Sequence, residues 1–473
     1  MERDAIAGES PDHTEVTDNN MATDKNQTEI LIIGAGPTGL GAAQRLTELG
    51  ADWLLLERNA YPGGLATSFQ EDEFTWDLGG HVIFSHYRAY DQMLDRVIPE
   101  DEWVWHERVS HIRIRDRWVP YPFQANVWKL PREDRWRCLR GIIRLYTEEV
   151  EPDRSNFQRF IDTHFGDGIA SIFMNPYNFK VWGYPPREMS ADWIGERVAK
   201  VDLENVVRNM VFEQPEVSWG PNDRFRFPHR GGTGEIWRRL AEELPSDRVR
   251  FDSEVVALST EDHAVELEDG RVVSYETLIN TMPLDRLIEM SNLHSLSEPA
   301  RGLRHSSVHV VGLGMRGRPP EKMEEYCWMY FPENNCPFYR ATLFSNYSPT
   351  NTPEGHWSLM LETSETPVKP VDSDTIIGEC RRGCRAAGIL PADSEVVTEW
   401  YRRVQHGYPT PSKGRDARLR KILPRLQQLD IYSRGRFGAW QYEVGNMDHS
   451  YAQGREVAER IVLDTPESTV KIS

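Results

Sequence analysis

The sequence predicts an α/β fold with a Rossmann-like nucleotide-binding domain, an inserted helical domain and an antiparallel β-sheet domain. Three observations support this prediction. Residues 29–57 have the strand–helix–strand pattern of a β-α-β unit. Residues 131–213 show mainly helical spacing of apolar residues, whereas residues 305–401 are rich in strand-forming residues. A chain of 473 residues is long enough for two or three such domains.

The individual elements are assigned in chain order. The first strand, helix and second strand are predicted at 29–33, 40–49 and 53–56. The later elements are helices at 135–150, 156–165 and 189–212, a β-meander over 250–280, strands at 278–283, 308–313, 327–331, 339–345 and 357–363, and helices at 375–387 and after Gln453. The strand at 278–283 is predicted to return to the nucleotide sheet. The nucleotide-binding domain is therefore discontinuous, since its first unit and its closing helix lie at opposite ends of the chain.

The predicted domain division starts with a disordered, polar tail over residues 1–28. The domains are then the nucleotide-binding domain over 29–112, 220–300 and 425–473, the helical domain over 130–215, and the sheet domain over 113–129 and 301–424. No apolar run approaches the ~20 residues that span a bilayer, and residues 1–28 lack the apolar core of a signal peptide. We expect a cytoplasmic protein without membrane insertion.

Charge and cysteine usage exclude several classes of protein. The formal net charge of −19 argues against nonspecific binding to DNA, RNA or an anionic membrane. The five scattered cysteines do not suggest a secreted disulfide scaffold, so reduced thiols are expected. Cys380 and Cys384 lie four positions apart on a predicted helix, but no second Cys/His pair is close in sequence. No metal site is predicted.

The segment after the first strand matches the fingerprint G-x-G-x-x-G with Gly34, Gly36 and Gly39. The first glycine makes the tight turn, the second lets the backbone approach a pyrophosphate, and the third allows close strand–helix packing. The helix N-terminus offers free N–H groups to the phosphate. Glu57 follows the second strand, where an acidic residue accepts hydrogen bonds from ribose hydroxyls. We therefore predict a dinucleotide site.

A second glycine pair favours FAD over NAD as the dinucleotide. Gly63, Gly64 and Leu65 follow the second strand, and this arrangement resembles the FAD-binding amine oxidase and mutase superfamily. The alternative is an ordinary Pro-Gly-Gly turn. The segment 312–317 also matches G-x-G-x-x-G, but Arg318-Pro319-Pro320 follows, so no helix N-terminus is expected there.

Three further segments combine aromatic, amide and basic residues. They are the stretch 79–87, which begins with Gly79-Gly80-His81, then Pro176-Tyr177-Asn178-Phe179-Lys180-Val181-Trp182, and the stretch 335–347 around Arg340. Each has a structural alternative: the aromatic residues can be core, His81 can be a turn residue, and Arg197 and Arg340 can be surface or ion-pairing residues.

Taken together with Trp118–Gln124, His406–Pro411 and 435–450, these motifs resemble the eukaryotic type of UDP-galactopyranose mutase. The resemblance covers residues 29–460 and rests on at least six separated motifs. It implies an FAD domain, a helical domain and an antiparallel sheet with the active site between them. It also implies that such a protein interconverts UDP-galactopyranose and UDP-galactofuranose. In this family only reduced FAD is active, NADPH is the reductant, and flavin N5 acts as nucleophile on the anomeric carbon with UDP as leaving group.

The resemblance also assigns roles to residues of this chain. Arg197 and Arg340 would clamp the diphosphate, which suits the permanently charged, bidentate guanidinium. His81 would lie beside the flavin, and Arg108 and Ser110 would take part in NADPH reduction and flavin tuning. The implied substrate contacts are Tyr330, Tyr408 and Tyr442 at the phosphates, Tyr121, Gln124, Phe173, Tyr177, Asn178 and Trp182 at the uracil and ribose, Asn222 and Trp328 near the sugar, and Arg436 and Asn446 at FAD and the galactose.

The sequence leaves several alternatives open. Asn175, Gly183-Tyr184 and Met447 depart from the family pattern, which leaves the oligomeric state and the fine sugar selectivity undecided; a homo-oligomer stays open. A different UDP-sugar is a second possibility. An FAD amine oxidase or desaturase on the same fold, or a flavoprotein used only for binding, are alternatives of other classes.

Overall fold

The computed structural model describes residues 26–195, 198, 201–217, 220 and 223–470. Two large sheets, two small two-stranded sheets and a helical region make up this part of the chain. Its strands are β1 Gln27–Ile33, β2 Trp53–Leu56, β3 Ser68–Glu71, β4 Phe74–Asp77, β5 Trp103–Glu107, β6 Ser110–Ile114, β7 Arg117–Pro120, β8 Arg224–Pro228, β9 Val249–Arg250, β10 Val255–Ser259, β11 Ala264–Leu267, β12 Val272–Asn280, β13 His305–Arg316, β14 Trp328–Tyr330, β15 Arg340–Leu343, β16 His356–Glu365, β17 Val396–Pro409 and β18 Ile431–Ser433.

The helices alternate with strands at both ends of the chain and cluster in its middle. They are α1 Pro37–Glu48, α2 Arg88–Val97, α3 Arg132–Thr147, α4 Phe157–Ile169, α5 Asn175–Trp182, α6 Leu203–Phe212, α7 Gly234–Glu242, α8 Leu284–Glu289, α9 Ser297–Arg301, α10 Ile376–Ala386, α11 Arg415–Gln427 and α12 Met447–Leu463. Within the described residues, no helix is both long and apolar enough to cross a membrane.

The first large sheet, here called the nucleotide sheet, has the strand order β10-β11-β12-β1-β2-β9, and β18 pairs with β12. The strands around β1 are parallel: β12 lies on one side and β2 on the other. β2 and the second half of β1, residues 30–33, are continuously apolar and buried, as expected for parallel strands that are covered on both faces. The predicted return of the chain to this sheet near residue 278 is confirmed by β12.

The second large sheet, here called the cleft sheet, has the order β17-β13-β16-β15-β14-β6-β7. Its strands pair antiparallel, except that β14 and β6 are parallel. β6 spans Ser110–Ile114 and therefore crosses the predicted domain boundary at residue 112. The glycines of the second G-x-G-x-x-G match lie mainly in β13. A Cβ atom at Gly312 or Gly314 would collide with the ring of Trp76 or Phe74, so these glycines make room for aromatic rings.

The helical region contains α3, α4, α5 and α6 around one apolar core. The prediction of a single helical pattern over 189–212 was wrong for the part that is described. Met189 forms a β-bridge with Ser412, the following residues are turns, and only α6 is helical. The apolar spacing there reflects the burial of Met189, Trp193 and Ile194 in this core rather than a helix. The five cysteines are free and buried.

Candidate active site

The turn between β1 and α1 has the geometry that a dinucleotide phosphate requires. Gly34 has a φ angle of +99°, which favours glycine, and a Cβ there would meet Thr281 Oγ1. A Cβ at Gly39 would overlap the carbonyl oxygen of Gly34. A Cβ at Gly36 would meet nothing closer than 3.9 Å, so the backbone faces open space at this position. Pro37 is the first residue of α1, and the free N–H groups in the first turn of this helix are available to a phosphate.

The predicted second glycine pair lies against this turn. Gly63 donates its N–H to the carbonyl oxygen of Ala35 at 2.8 Å, and a Cβ at Gly64 would come within 3.2 Å of Gly36 Cα. Leu65 follows in a short 3₁₀ turn. Glu57, which is 5% exposed, accepts the Ala35 N–H at 2.7 Å and thus fixes the end of β2 to the turn. These residues fit the pyrophosphate and adjoining ribose of FAD.

The C-terminal segment closes the same region. Gly435 donates its N–H to Gln453 Oε1 at 2.7 Å, and α12 crosses α1 so closely that a Cβ at Gly454 would overlap Thr38. Asn446 is the N-cap residue of α12. Arg436 donates to the carbonyl oxygens of Gly445 at 3.0 Å and Gly407 at 3.2 Å. Arg436 therefore connects the nucleotide side of the protein with β17 of the cleft sheet.

Arg340 lies at the centre of the cleft sheet in a two-point ion pair with Glu362. Its Nε donates to Oε1 at 2.6 Å and its Nη2 to Oε2 at 2.7 Å. Glu362 is 2% exposed and also accepts Tyr339 OH at 2.9 Å and the Gly80 N–H at 3.1 Å. Burial alone would raise the pKa of Glu362, but the charge of Arg340 and these hydrogen bonds hold it below its usual value. Glu362 is therefore a carboxylate that orients Arg340 and anchors the Gly79-Gly80-His81 loop.

The sequence-predicted aromatic residues contact one another, and three of them, Tyr177, Tyr330 and Tyr408, lie close to Arg340. Trp328 donates its indole N–H to Tyr330 OH at 2.5 Å. The ring contacts form two groups. In the first group the ring centres of Phe173 and Tyr177 are 5.2 Å apart, those of Tyr177 and Tyr330 are 5.4 Å apart, and those of Tyr121 and Tyr330 are 5.4 Å apart. In the second group the distances are 4.8 Å between Trp182 and Tyr442, 5.9 Å between Trp182 and Tyr408, and 5.8 Å between Tyr408 and Tyr442. The Arg436 guanidinium lies 4.9 Å from the centre of the Tyr408 ring. The aromatic residues are thus partly core, as the structural alternative expected, and partly a wall around one arginine.

The helical region contributes Phe173 to this group of aromatic residues through an irregular segment. A π-helical turn, Ala170–Met174, separates α4 from α5 and turns Phe173 toward Phe123, with ring centres 4.5 Å apart. Asn178 is buried and donates its amide N–H to the Met174 carbonyl oxygen at 2.7 Å, which fixes the side chain on α5. Gln124 is buried in the short helix after β7.

Three further predicted residues have polar groups close to this wall or to the loop beside it. The Arg108 guanidinium lies 5.3 Å from the centre of the Tyr121 ring. Among the described residues, Ser110 Oγ and His81 Nδ1 are buried without a hydrogen-bond partner, and His81 Nδ1 is 3.7 Å from Asp77 Oδ2. Such atoms can be satisfied by water or by a bound molecule.

Two predicted residues, Arg197 and Asn222, lie outside the described residues.

One residue that the sequence did not predict is Glu362. It faces Arg340 directly across the pair β15–β16. An acidic residue directly after the mainly apolar stretch 357–361 was the available signal, because a carboxylate on a buried strand requires a partner.

Comparison with known proteins agrees with this geometry. The family model of the flavin-containing amine oxidoreductases matches residues 37–462. A crystal structure of reduced UDP-galactopyranose mutase superposes with a TM-score of 0.91 and 48% sequence identity, over 94% of this chain and 96% of that chain.

Curated relatives cover less of the chain. A flavin-containing amine oxidase from Danio rerio is 23% identical over 377 residues, which is 74% of this chain and 63% of that protein. A zeta-carotene-forming phytoene desaturase from Myxococcus xanthus is 40% identical over 63 residues, 13% of this chain and 12% of that protein. The chain thus spans less than two thirds of the length of these two relatives.

The fold and the phosphate turn define the class: this is a protein of the flavin-containing amine oxidoreductase type. The chain belongs to that family and, within it, to the UDP-galactopyranose mutases, a family of enzymes.

Proposed function

We propose that the protein interconverts UDP-galactopyranose and UDP-galactofuranose when its FAD is reduced. The observation that carries the proposal is the position of Arg340. Its guanidinium is held by Glu362, is partly exposed, and lies close to Tyr330, its partner across β14 and β15, and to Tyr408. A fixed, permanently charged guanidinium beside aromatic rings suits a nucleoside diphosphate, because it meets the phosphates while the rings pack on the base.

The residues around Arg340 provide neutral hydrogen-bond donors. Burial raises the pKa of Tyr330 and of Tyr408, even though the positive charge of Arg340 lowers both. Their hydroxyl groups therefore stay protonated at neutral pH and can donate to phosphate oxygens. Negative charge that develops on the leaving diphosphate would be stabilised by groups that are already oriented before the bond breaks.

Reduced FAD would supply N5 as the nucleophile toward the anomeric carbon. Residues of this chain would hold FAD at the phosphate turn with Gly36, at Glu57, at the Gly63-Gly64 pair and at the start of α12 beside Asn446. His81 Nδ1, which has no hydrogen-bond partner within the described part of the chain, would exchange a hydrogen bond with a molecule bound beside Gly80. Arg197 and Asn222 stay predictions as a second phosphate contact and a sugar contact.

Reduction by NADPH is part of the same proposal. Arg108 and Ser110 adjoin Tyr121, whose N–H donates to the Ser110 carbonyl oxygen, on the side of the cleft sheet that β6 and β7 form. A guanidinium there can meet the phosphate of a second nucleotide, whereas a one-electron or chemical reductant would not need it. The cytoplasmic location, the homo-oligomer and the lack of nucleic-acid binding stay predictions.

The test is a conversion assay with purified, FAD-containing protein. UDP-galactofuranose is incubated with oxidised protein, with dithionite-reduced protein and with NADPH, and the nucleotide sugars are separated by chromatography. We expect UDP-galactopyranose only under the two reducing conditions. Absence of conversion by fully reduced protein would contradict the proposal, and parallel incubations with UDP-N-acetylgalactosamine and UDP-arabinose would show whether another sugar is used. Oxygen consumption with an amine substrate would favour the oxidase alternative.

A further inference from the structure

A two-point ion pair outside the cleft holds the short turn Tyr442–Val444. Arg415 is the first residue of α11, and its side chain is 3% exposed. Its Nη1 donates to Glu443 Oε2 at 2.8 Å, and its Nη2 donates to Glu443 Oε1 at 2.6 Å. Its Nε donates to Asp416 Oδ1 at 2.7 Å. The guanidinium is therefore oriented by one carboxylate of its own helix and binds the second, on the turn, with parallel hydrogen bonds.

Glu443 and Tyr442 are neighbours in this turn, which is a 3₁₀ helix that ends shortly before α12. A 3₁₀ helix has three residues per turn, so adjacent side chains leave it about 120° apart. The ring centre of Tyr442 lies 4.8 Å from that of Trp182 and 5.6 Å from that of Trp193, whereas the Glu443 carboxylate points to α11. The direction of the Tyr442 side chain is therefore coupled to the position of Glu443.

Packing alone does not fix this turn. A cavity of about 320 Å³ lies beside it, and Asp192, Glu443 and Val444 are among the residues that line the cavity. A group that borders an empty space lacks contacts on that side, so less resists its movement. Gln453 holds the end of the turn, because its side-chain amide donates to the Val444 carbonyl oxygen at 2.6 Å. The ion pair with Arg415 holds the middle of the turn.

The segment before Arg415 is bound to the helical region. The Ser190 N–H donates to the carbonyl oxygen of Pro411 at 2.8 Å, and the Lys413 N–H donates to that of Glu188 at 3.0 Å. Residues 188–190 belong to the connection between α5 and α6. Arg415 therefore joins the helical region, which contributes Trp182 and Trp193 to the surroundings of Tyr442, to the turn that carries Tyr442 itself.

We propose that Arg415 is a positioning residue that, through Glu443, directs the Tyr442 hydroxyl group toward a bound diphosphate. This inference rests on the proposed binding of a nucleoside diphosphate in the cleft. The ring centres of Tyr442 and Tyr408 are 5.8 Å apart, and Tyr408 lies close to Arg340. A hydroxyl group that is oriented before the ligand arrives strengthens binding, because its ordering costs no further free energy on association. Arg415 acts on the substrate through Tyr442 and not by contact.

The experiment measures the affinity of the FAD-containing full chain for UDP by calorimetry. Arg415→Met removes the guanidinium, and we expect the Kd for UDP to rise about tenfold, the effect of one displaced hydrogen bond to a charged group. Glu443→Gln breaks the same ion pair from the other side and should raise the Kd by a similar factor. The FAD absorption spectrum and the Tm report whether each variant is folded, and Glu443→Gln provides the test if Arg415→Met does not fold.

A double-mutant cycle tests whether Arg415 acts through Tyr442. Tyr442→Phe removes only the hydroxyl group and should itself raise the Kd for UDP about tenfold. Arg415→Met added to Tyr442→Phe should raise the Kd by less than about threefold more, because the hydroxyl group that Arg415 directs is already absent. A merely structural role of Arg415 would lower the Tm without this non-additivity.

The matched control is Arg455→Met, which removes another two-point ion pair, with distances of 2.9 and 2.8 Å between Arg455 on α12 and Glu48 on α1. The Kd for UDP should stay within about twofold of the parent value, since this pair lies away from the turn. Four results would each overturn the role of Arg415: unchanged UDP binding in Arg415→Met and Glu443→Gln, an equal loss in Arg455→Met, unchanged binding in Tyr442→Phe, or full additivity in the cycle. Absence of UDP binding in the parent would instead overturn the proposed function on which this role rests.

Discussion

The phosphate turn and the cleft around Arg340 recognise their ligands in opposite ways. The turn uses backbone: glycines at 34, 36 and 39, a helix N-terminus and a glycine pair packed against them. The cleft uses side chains, which come from β14, β15, β17 and α5 and meet only in the folded protein. At a site built from backbone, ligand binding is sensitive to an added side-chain atom. At a site built from side chains, ligand binding is sensitive to the loss of a charge or a ring. Substitutions should therefore separate the two sites.

The largest expected effect concerns the carboxylate that orients the cleft. Glu362→Gln removes the buried negative charge that pairs with Arg340, and breaking such a pair costs about 3–5 kcal/mol of unfolding free energy. Urea denaturation followed by fluorescence measures this loss. The control is Glu365→Gln on the same strand, whose ion pair with Arg403 is more exposed, so the expected loss is at most about 1 kcal/mol. Equal losses for both variants would contradict the special position of Glu362.

The next effect concerns the guanidinium itself. Arg340→Ala should lower turnover by about two orders of magnitude, equivalent to about 3 kcal/mol, because a charged contact to the leaving diphosphate is lost. FAD content should stay unchanged, because the phosphate turn lies elsewhere. Steady-state kinetics with reduced protein measures the loss, and Arg340→Lys tests whether charge without the two-point geometry is sufficient. Turnover within a few-fold of the parent would remove Arg340 from the proposed reaction.

A third prediction concerns acid sensitivity in the cleft sheet. Burial and the charge of Lys129 lower the pKa of His111 on β6 to about 4, and its ring stacks on Tyr326 at 4.2 Å. The unfolded chain, with a pKa of about 6.5, takes up the proton first, so stability is full above that pH and falls as the pH drops toward 4. Between pH 7 and pH 5 the parent should lose about 2 kcal/mol of unfolding free energy through protonation linked to His111, and His111→Phe should not show this part of the loss. Urea denaturation at both pH values tests this, with exposed His294→Phe as the control; an unchanged pH dependence would contradict it.

The smallest effect should appear at the phosphate turn. Gly36→Ala adds one methyl group where the protein itself leaves open space, so the fold should be kept while FAD affinity falls about tenfold, or about 1.4 kcal/mol. FAD fluorescence on titration of the apoprotein measures the change. Gly378→Ala on α10, where the nearest atom is the flexible end of Arg382, is the control and should bind FAD as the parent does. Unchanged affinity in Gly36→Ala would place the phosphate elsewhere.

The two regions also differ in how far the sequence alone could predict them. The β-α-β unit was predicted with its second strand to the residue and with the starts of β1 and α1 two and three residues late. The prediction succeeded because Gly34, Gly36, Gly39 and Glu57 lie within one short stretch. The cleft residues were selected by family resemblance, and their meeting depends on strand order that no local pattern encodes. Glu362 was missed for this reason, as its partner Arg340 is its neighbour only through the register of β15 and β16. β17, which continues to Pro409, was also underpredicted, because it is partly exposed and its polar residues hide the alternation.

The closing of the nucleotide side by α12 has a consequence for biosynthesis. The phosphate turn leaves the ribosome early. β12, on which β1 packs, follows more than two hundred residues later, and α12, on which α1 packs, follows more than four hundred residues later. Because synthesis proceeds from the N-terminus, the FAD pocket cannot be complete on a nascent chain that lacks α12. Cofactor loading is therefore a late event. In a chain released before α12 is made, the glycine turn would lack its packing partner, and such a chain would be a substrate for chaperones or proteases.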